Sequence, residues 1–259
     1  KGFSKIAEEY EELEESSSLI QYKRKIIRNH LLSKTNENDR ILELNCGTGI
    51  DAVYLANKGF SIVATDISEG MLSVFNQKIT DKKFENKITI ENKSFLDLID
   101  FNQNEFNCLF SNFGGLNCID QNDLKKVIDD IVELLTPGGS ITLVIMPKIT
   151  PWEWLRILKG NKSAFRRLKS GETFANVEGE KVKTFYHSAR AVKKILNQDF
   201  ENIRVENIFT FGPSGSSCHF PEKHSIFFKL LTKVDKFCNK IGIFKGVGDY
   251  YVISASKKR

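Results

Sequence analysis

Apolar and polar positions divide the chain into short continuous apolar runs and longer stretches whose apolar residues fall three and four apart. The runs at 40–45, 61–65, 87–91, 106–110 and 140–146 have the length and content of strands. The stretches 50–58 and 69–78 read as helices. So does the segment through Leu124, Val127, Ile128, Ile131, Leu134 and Leu135, which Pro137-Gly138-Gly139 is expected to stop before the fifth strand. Upstream, 5–34 holds six glutamates between Glu8 and Glu15. An apolar periodicity follows through Leu19, Ile20, Ile26, Ile27, Leu31 and Leu32, giving one or two helices. After residue 146 the alternation is interrupted by an insertion from 147 to about 180. It resumes with Ser188 as N-cap of a helix ending near 198 and a strand at 200–211. A Gly-, Pro- and Ser-rich loop at 212–218, an amphipathic helix at about 225–239 and a last strand at 248–255 complete the pattern. Strands alternating with helices of this length imply a doubly wound α/β fold, its mostly parallel sheet covered on both faces and its ligands at the carboxyl ends of the strands.

Composition narrows the class. The 259 residues are 41% hydrophobic and 27% charged, which excludes disordered and collagen-like chains and suits one α/β domain with insertions. A net charge of +5 is too mild to announce a nucleic-acid partner. Cys46, Cys108, Cys118, Cys218 and Cys238 are odd in number and form no Cys-x-x-Cys pair, which argues against a disulfide framework and a metal site and for a reducing cytoplasm. No apolar stretch is long enough to cross a bilayer, and the chain opens with no charged-then-apolar signal segment. It begins at Lys1 rather than Met, so its natural start is expected a few residues upstream.

The chemistry concentrates after the first strand. In Glu43-Leu44-Asn45-Cys46-Gly47-Thr48-Gly49 a strand runs into a Gly-x-Gly turn that opens a helix, where missing side chains let a ligand approach the helix amino terminus. Gly47 to Ala52 also satisfies the G-x-G-x-x-A form of a dinucleotide fingerprint. The neighbourhood discriminates: Glu43, Asp66 and Asp97 follow three successive strands. Three such acids suit a ligand with an ammonium group, a ribose diol and an exocyclic amine, as in S-adenosylmethionine, and would repel a pyrophosphate.

With these residues the sequence resembles the class I S-adenosylmethionine-dependent methyltransferases, in particular the small-molecule group that includes the ubiquinone and menaquinone enzymes. The resemblance covers about 3–146. It implies a seven-stranded Rossmann-like sheet with a helical lid at 1–34, a cofactor-binding core at 35–146, a cap insertion at 147–187 and a C-terminal part of the core at 188–259 that carries a helical substrate-side insertion. It also implies that Glu43, Asn45, Gly47 and Gly49 form the first cofactor motif, that Asp66 meets the ribose and Ile67 packs near the adenine, and that Asp97 meets the adenine amino group. Met71, Leu98 and Asn112 complete the cofactor-binding residues of the core, and Tyr10 and Tyr22 are expected to reach the cofactor from the lid helices. Phe106 to Phe113 matches the strand-four motif lining the transfer site, and Leu135 to Gly139 the turn before strand five. One departure is Asn45, which stands where the family's first glycine is usual; asparagine tolerates positive φ better than other side chains, so the turn is expected to survive.

The implied reaction is direct displacement at the sulfonium methyl, with a general base needed only for a protonated acceptor atom. His187, His219 and His224 are the candidate bases, all beyond strand five. The six glutamates are expected to be a solvated helix face. From Lys148 to Lys169 the insertion holds seven basic residues against the single acid Glu153, with Trp152 and Trp154 between them, and this leaves an RNA or protein acceptor open. The helix at 225–239 places Ile226, Phe227, Leu230, Leu231, Val234 and Phe237 on one face, whose default is packing on the sheet or the insertion and whose other reading is weak membrane-surface contact. Phe165, Phe174, Phe220, Phe227, Phe228 and Phe244 are expected to build an aromatic pocket for a small, largely apolar acceptor. A dinucleotide-dependent oxidoreductase is the reading from another class.

Overall fold

The structure, a computed structural model, describes residues 7–80, 84–158, 160, 167, 171–177, 180–214, 217 and 219–259. Ser17 divides the amino-terminal segment into α1 (Ala7–Ser16) and α2 (Ser18–Leu32), its hydroxyl accepting from the Ile20 amide at 3.4 Å as the N-cap of α2. The chain then runs β1 (Arg40–Leu44), α3 (Ile50–Asn57), β2 (Ser61–Asp66), α4 (Glu69–Lys78), β3 (Ile88–Asn92), β4 (Phe106–Ser111), α5 (Gln121–Leu134) and β5 (Leu135–Ile145). The insertion contributes α6 (Pro151–Leu158) and a hairpin of β6 (Thr173–Val177) with β7 (Glu180–Thr184). After it come α7 (Ala189–Leu196), β8 (Phe200–Ile208), the single turn α8 (Phe220–Lys223), α9 (Ser225–Ile241) and β9 (Tyr250–Lys257).

Seven strands form one sheet in the order β3-β2-β1-β4-β5-β9-β8, and only β9 runs antiparallel to its neighbours. Alternate side chains of each strand serve two cores. Ile41, Cys108 and Phe110 point to the face covered by α2, α3 and α4, where Leu19, Ile27, Ala52, Leu55 and Phe75 are buried. Leu42, Leu44 and Leu109 point to the face of α5 and α7, among Leu124, Val127, Ile131, Val192 and Leu196. Such double burial is what near-continuous apolar strands require. It brings the carboxyl ends of β1, β2, β4 and β8 and the amino end of β9 to one edge.

Three non-glycine residues at that edge hold left-handed backbones: Asn45 (φ 48°) after β1, Phe113 (φ 43°) after β4 and Phe209 (φ 55°) after β8. Each such residue costs energy that the surroundings must over-determine, and such residues cluster where a site is built. Elsewhere, β5 begins at Leu135, ahead of Pro137-Gly138-Gly139. The motif expected to separate helix from strand is absorbed within β5, where the pairing to β4 shifts from Phe106 with Leu135 to Cys108 with Ser140.

Candidate functional site

β1 delivers Glu43 to the edge and the chain then reverses through Asn45, Gly47 and Gly49, all at positive φ, with Gly49 as N-cap of α3. A Cβ on Gly49 would run into the Phe75 ring, so that glycine is needed for packing as well as for its φ of 74°. At Gly47 a Cβ would meet no atom within 4 Å, so the backbone there is open to an approaching ligand. The Asp66 carboxylate at the end of β2 holds the turn, accepting from the Gly47 amide at 2.9 Å through Oδ2 and from the Ser68 amide at 2.9 Å through Oδ1. Burial raises its pKa, against those amide bonds. Ile67 beside it is 72% exposed, an apolar side chain standing in the open.

Glu43 is 2% exposed, and among the described residues its Oε2 and the buried Oγ1 of Thr48 take no hydrogen bond. Burial first, and then the neighbouring Asp51 charge, push the Glu43 carboxyl well above the usual range, with Arg24 and Arg28 pulling the other way. Orphaned buried oxygens beside an open glycine backbone are features that a bound polar ligand would satisfy. The residues present therefore fit a cofactor with an ammonium group and a ribose.

Asn45 spans β1 and β4: its Nδ2 donates to the Asn112 carbonyl at 3.0 Å and its Oδ1 accepts from the Ser111 hydroxyl at 2.6 Å. Asn112 is buried and fully engaged, donating from Nδ2 to Asp51 Oδ2 at 2.7 Å and accepting at Oδ1 from the Phe113 amide at 2.7 Å. It thus fixes the end of β4. Met71 and Leu98 are buried, Leu98 in the α5-side core, while Asp97 is exposed in the turn after β3.

Sequence reasoning missed the ionic seam that ties the amino-terminal helices to this motif. Arg24 bridges Glu14 of α1 and Asp51 of α3, and Arg28, one turn on, donates from Nε to Asp51 Oδ1 at 2.7 Å and from Nη2 to the Ile50 carbonyl at 2.9 Å. Glu14 is therefore buried, which corrects the expectation of a uniformly solvated glutamate face. Burial raises its carboxyl, opposed by Arg24. For Asp51 burial acts in the same sense, but Arg24, Arg28 and the Asn112 bond outweigh it and hold the group low. The spacing of Arg24 and Arg28 at i and i+4, with an acid in the first turn of α3, was the available signal. Tyr10 is hydrogen-bonded to Glu14, with its phenol pushed well up by burial, and Tyr22 packs on Phe209 and Phe228 at 5.3 and 5.5 Å.

On the other side of Phe113, whose ring meets Tyr250 edge-on at 5.6 Å, a second buried cluster joins three parts of the chain. Asp249 receives Lys23 Nζ of α2 at 2.6 Å and Arg167 of the insertion at 2.9 Å. Arg167 also lies over the Tyr186 ring, 5.3 Å from its centroid. The aromatic rings beside this cluster are thus Tyr250, which meets Phe113, and Tyr186, which lies under Arg167. Phe174, Phe227 and Phe244 of the expected pocket are exposed instead, and Phe165 falls outside the described residues. Of the seven basic residues at 148–169, Lys159, Lys162, Arg166 and Lys169 fall outside them too.

The histidines separate. His187 is buried with Nε2 on the Ile119 carbonyl at 3.1 Å, and burial lowers its pKa against that bond, so it holds the loop before α5 as a neutral ring. His219 and His224 flank α8, where His224 packs against Phe220 at 4.9 Å. Among the described residues, His187 bonds to Ile119 and Met146 and His224 packs on Phe220, none of which belongs to the motif at Glu43 to Gly49.

The model of a methyltransferase domain matches residues 41–139, the stretch from β1 into β5 that carries this motif. A demethylmenaquinone methyltransferase of Leptospira interrogans is 27% identical over 60% of this chain, an alignment that spans 63% of that relative's length. An uncharacterised protein of Methanocaldococcus jannaschii is 28% identical over 81% of this chain and 77% of its own. Among solved structures, an S-adenosylmethionine-dependent methyltransferase from Methanosarcina mazei superposes with a TM-score of 0.59 at 19% identity, over 90% of this chain and 97% of that one. Together with the strand order, the glycine turn and its acids, these findings set aside the dinucleotide reading: residues 41–139 carry a methyltransferase domain on a fold shared with solved S-adenosylmethionine-dependent methyltransferases.

Proposed function

We propose that the protein transfers the methyl group of S-adenosylmethionine, by direct displacement, to a small, largely apolar or aromatic acceptor. The observation that carries this reading is the shared edge. There the open Gly47 backbone, Asp66 and the orphaned Glu43 oxygen stand at the carboxyl ends of β1 and β2, and Phe113, just after β4, meets the Tyr250 ring at the start of β9. When bound, the cofactor supplies an electrophilic methyl on sulfur. Asp66 binds the ribose hydroxyls and Ile67 covers the adenine, with Asp97 for its amino group. Glu43 takes the ammonium end. Asn112 and Phe113 form the floor between cofactor and acceptor. Their position is fixed through Asp51 by Arg24, so that closing α1 and α2 over the edge also completes the floor. Holding two reactants in line accounts for several kcal/mol of a displacement barrier, about 7–11 in the best-oriented cases, without a protonated group in the reaction. Excluding water adds to this.

The described cysteines are free thiols, which accords with action in a reducing cytoplasm. The name of the Leptospira relative supplies the first acceptor to try, a demethylated menaquinone. The test is calorimetric titration of the chain with S-adenosylmethionine, S-adenosylhomocysteine and NADH, followed by transfer assays with labelled cofactor. Binding of the sulfonium compound and its product without a response to NADH is expected. Absence of binding to either sulfur compound would refute the reading.

A further inference from the structure

A surface helix ordinarily turns its apolar stripe to the core. Helix α9 does so only in part: Phe228 packs on Tyr22 and Phe209 and Cys238 is buried, while a broader apolar arc faces outward. The body-facing side also carries a polar seam, in which Asp235 accepts from the amides of Phe209 at 3.0 Å and Thr210 at 2.5 Å. One turn on, Asn239 exchanges two hydrogen bonds with the backbone of Asn207, at 2.8 and 2.9 Å. With about 100° between successive residues, these anchors fix the rotation of the helix about its axis. They leave Ile226 (85% exposed), Leu230 (54%) and Phe237 (61%), with Phe227, Val234 and Ile241, on one outward arc of roughly 100°. The expectation that this face packs on the sheet or the insertion is therefore corrected.

Immediately beside that arc, Lys229, Lys233, Lys236 and Lys240 occupy one of roughly 60°, all exposed. From 223 to 245 the sequence holds six lysines and one acid, and that acid is Asp235, buried in the seam. Ile243 and Phe244, just past the Gly242 cap, extend the exposed apolar surface. No helix among the described residues is long and apolar enough to cross a membrane, so α9 is no spanning segment.

We infer that α9 is a membrane-surface element, its apolar arc entering the headgroup boundary of an anionic bilayer while its lysine row lies against the lipid phosphates. The occupant is chosen by charge. A two-fold pair of this chain would set one lysine-flanked patch on another with no exposed acid between them, whereas an anionic lipid surface satisfies both arcs at once. The inference goes beyond the methyl-transfer reading and does not depend on it.

The test is sedimentation of the whole chain, without cofactor, with phosphatidylglycerol-containing vesicles and with pure phosphatidylcholine vesicles. The variants are Leu230→Glu with Phe237→Glu, and Lys233→Glu with Lys236→Glu. All four residues are exposed and none belongs to the site, and cofactor titration of the same preparations reports the methyltransferase reading separately. Binding to the anionic vesicles should exceed binding to the neutral ones by about tenfold or more, weaken with salt, and fall about tenfold or more in each double variant. A chain that stays in the supernatant with anionic vesicles at low salt overturns the inference, as does binding that the Leu230/Phe237 variant retains. A dimer in sedimentation equilibrium that this variant dissociates, with no vesicle binding, assigns the face to a second copy and overturns it too.

Discussion

Asn45 and Gly115 occupy one space: a Cβ built on residue 115 would lie within the side-chain amide of Asn45. The side chain at the position where the family's first glycine is usual is thus accommodated by a glycine just beyond β4. There the amide replaces lost backbone freedom with bonds to Ser111 and to the Asn112 carbonyl. Gly115→Ala should destabilise the fold by about 1–3 kcal/mol through overpacking. Asn45→Gly alone should cost about 1–2 kcal/mol for its hydrogen bonds. The double variant should be more stable than the sum, because the clash disappears with the amide. Urea denaturation of the four proteins reads the coupling, and additive effects would show that the two positions are independent.

Asp51 carries the seam between the amino-terminal helices and the cofactor motif. Asp51→Asn leaves Arg24 and Arg28 without their shared charge partner while Arg24 stays buried, a change of about 3–5 kcal/mol by analogy with other broken buried pairs. Because the seam holds α1 and α2, proteolysis within 7–32 should accelerate before global unfolding does. A variant with unchanged denaturation midpoint and unchanged cleavage rate would show that the seam contributes nothing.

Asp66 has two duties, and they can be separated. Its oxygens hold the Gly47 and Ser68 amides, which Asn can partly replace through its carbonyl, whereas a charge-assisted bond to ribose hydroxyls cannot be replaced in that way. Asp66→Asn should keep the fold and weaken S-adenosylmethionine binding by about 10–100-fold, corresponding to about 1.5–3 kcal/mol. Asp66→Ala should lose binding to the limit of calorimetry. Retained affinity in the alanine variant would remove Asp66 from the site.

The elements that local pattern dictates were legible: the strands of the parallel sheet and the glycine turn follow from apolar runs and missing side chains within a few residues. The positions of Glu43 and Asp66 at the ends of β1 and β2 were legible for the same reason, whereas Asp97 stands exposed in the loop beyond β3. What escaped depends on partners far along the chain. Glu14 is buried because Arg24 reaches it across the break at Ser17, and Asp249 because Lys23 and Arg167 converge on it from 226 and 82 residues away. A periodic face likewise says that a helix is amphipathic, not which side is covered. In α9 two hydrogen-bonding residues, Asp235 and Asn239, decided the rotation against six apolar ones.

The Asp249 cluster sets an acid limit. Burial alone would raise this carboxyl, but Lys23 and Arg167 outweigh burial and hold it below its usual value. With the folded pKa below the unfolded one, near 3.9, the contribution to stability is complete above that value. It is lost as pH falls through the window toward the folded pKa. Thermal midpoints measured from neutral pH downward should fall in that window, and Asp249→Asn should flatten this limb while lowering the midpoint at neutral pH, since two cations lose their partner. An unchanged acid limb in the variant would place the loss elsewhere.

Glu43 runs in the opposite sense. Its folded pKa is raised by burial and by the Asp51 charge, so its contribution to stability is present below the unfolded value of about 4.3 and lost as pH rises toward the folded one. Glu43→Gln, which keeps the shape without the ionisation, should therefore be more stable than the parent above that window. Binding reverses the preference, because an ammonium group beside Oε2 favours the carboxylate and expels its proton. Calorimetry of S-adenosylmethionine binding at one pH in buffers of different ionisation heat should give different enthalpies for the parent and equal ones for Glu43→Gln. A buffer dependence that persists in the variant would assign the released proton to another group and leave the Glu43 oxygen without a role at the cofactor.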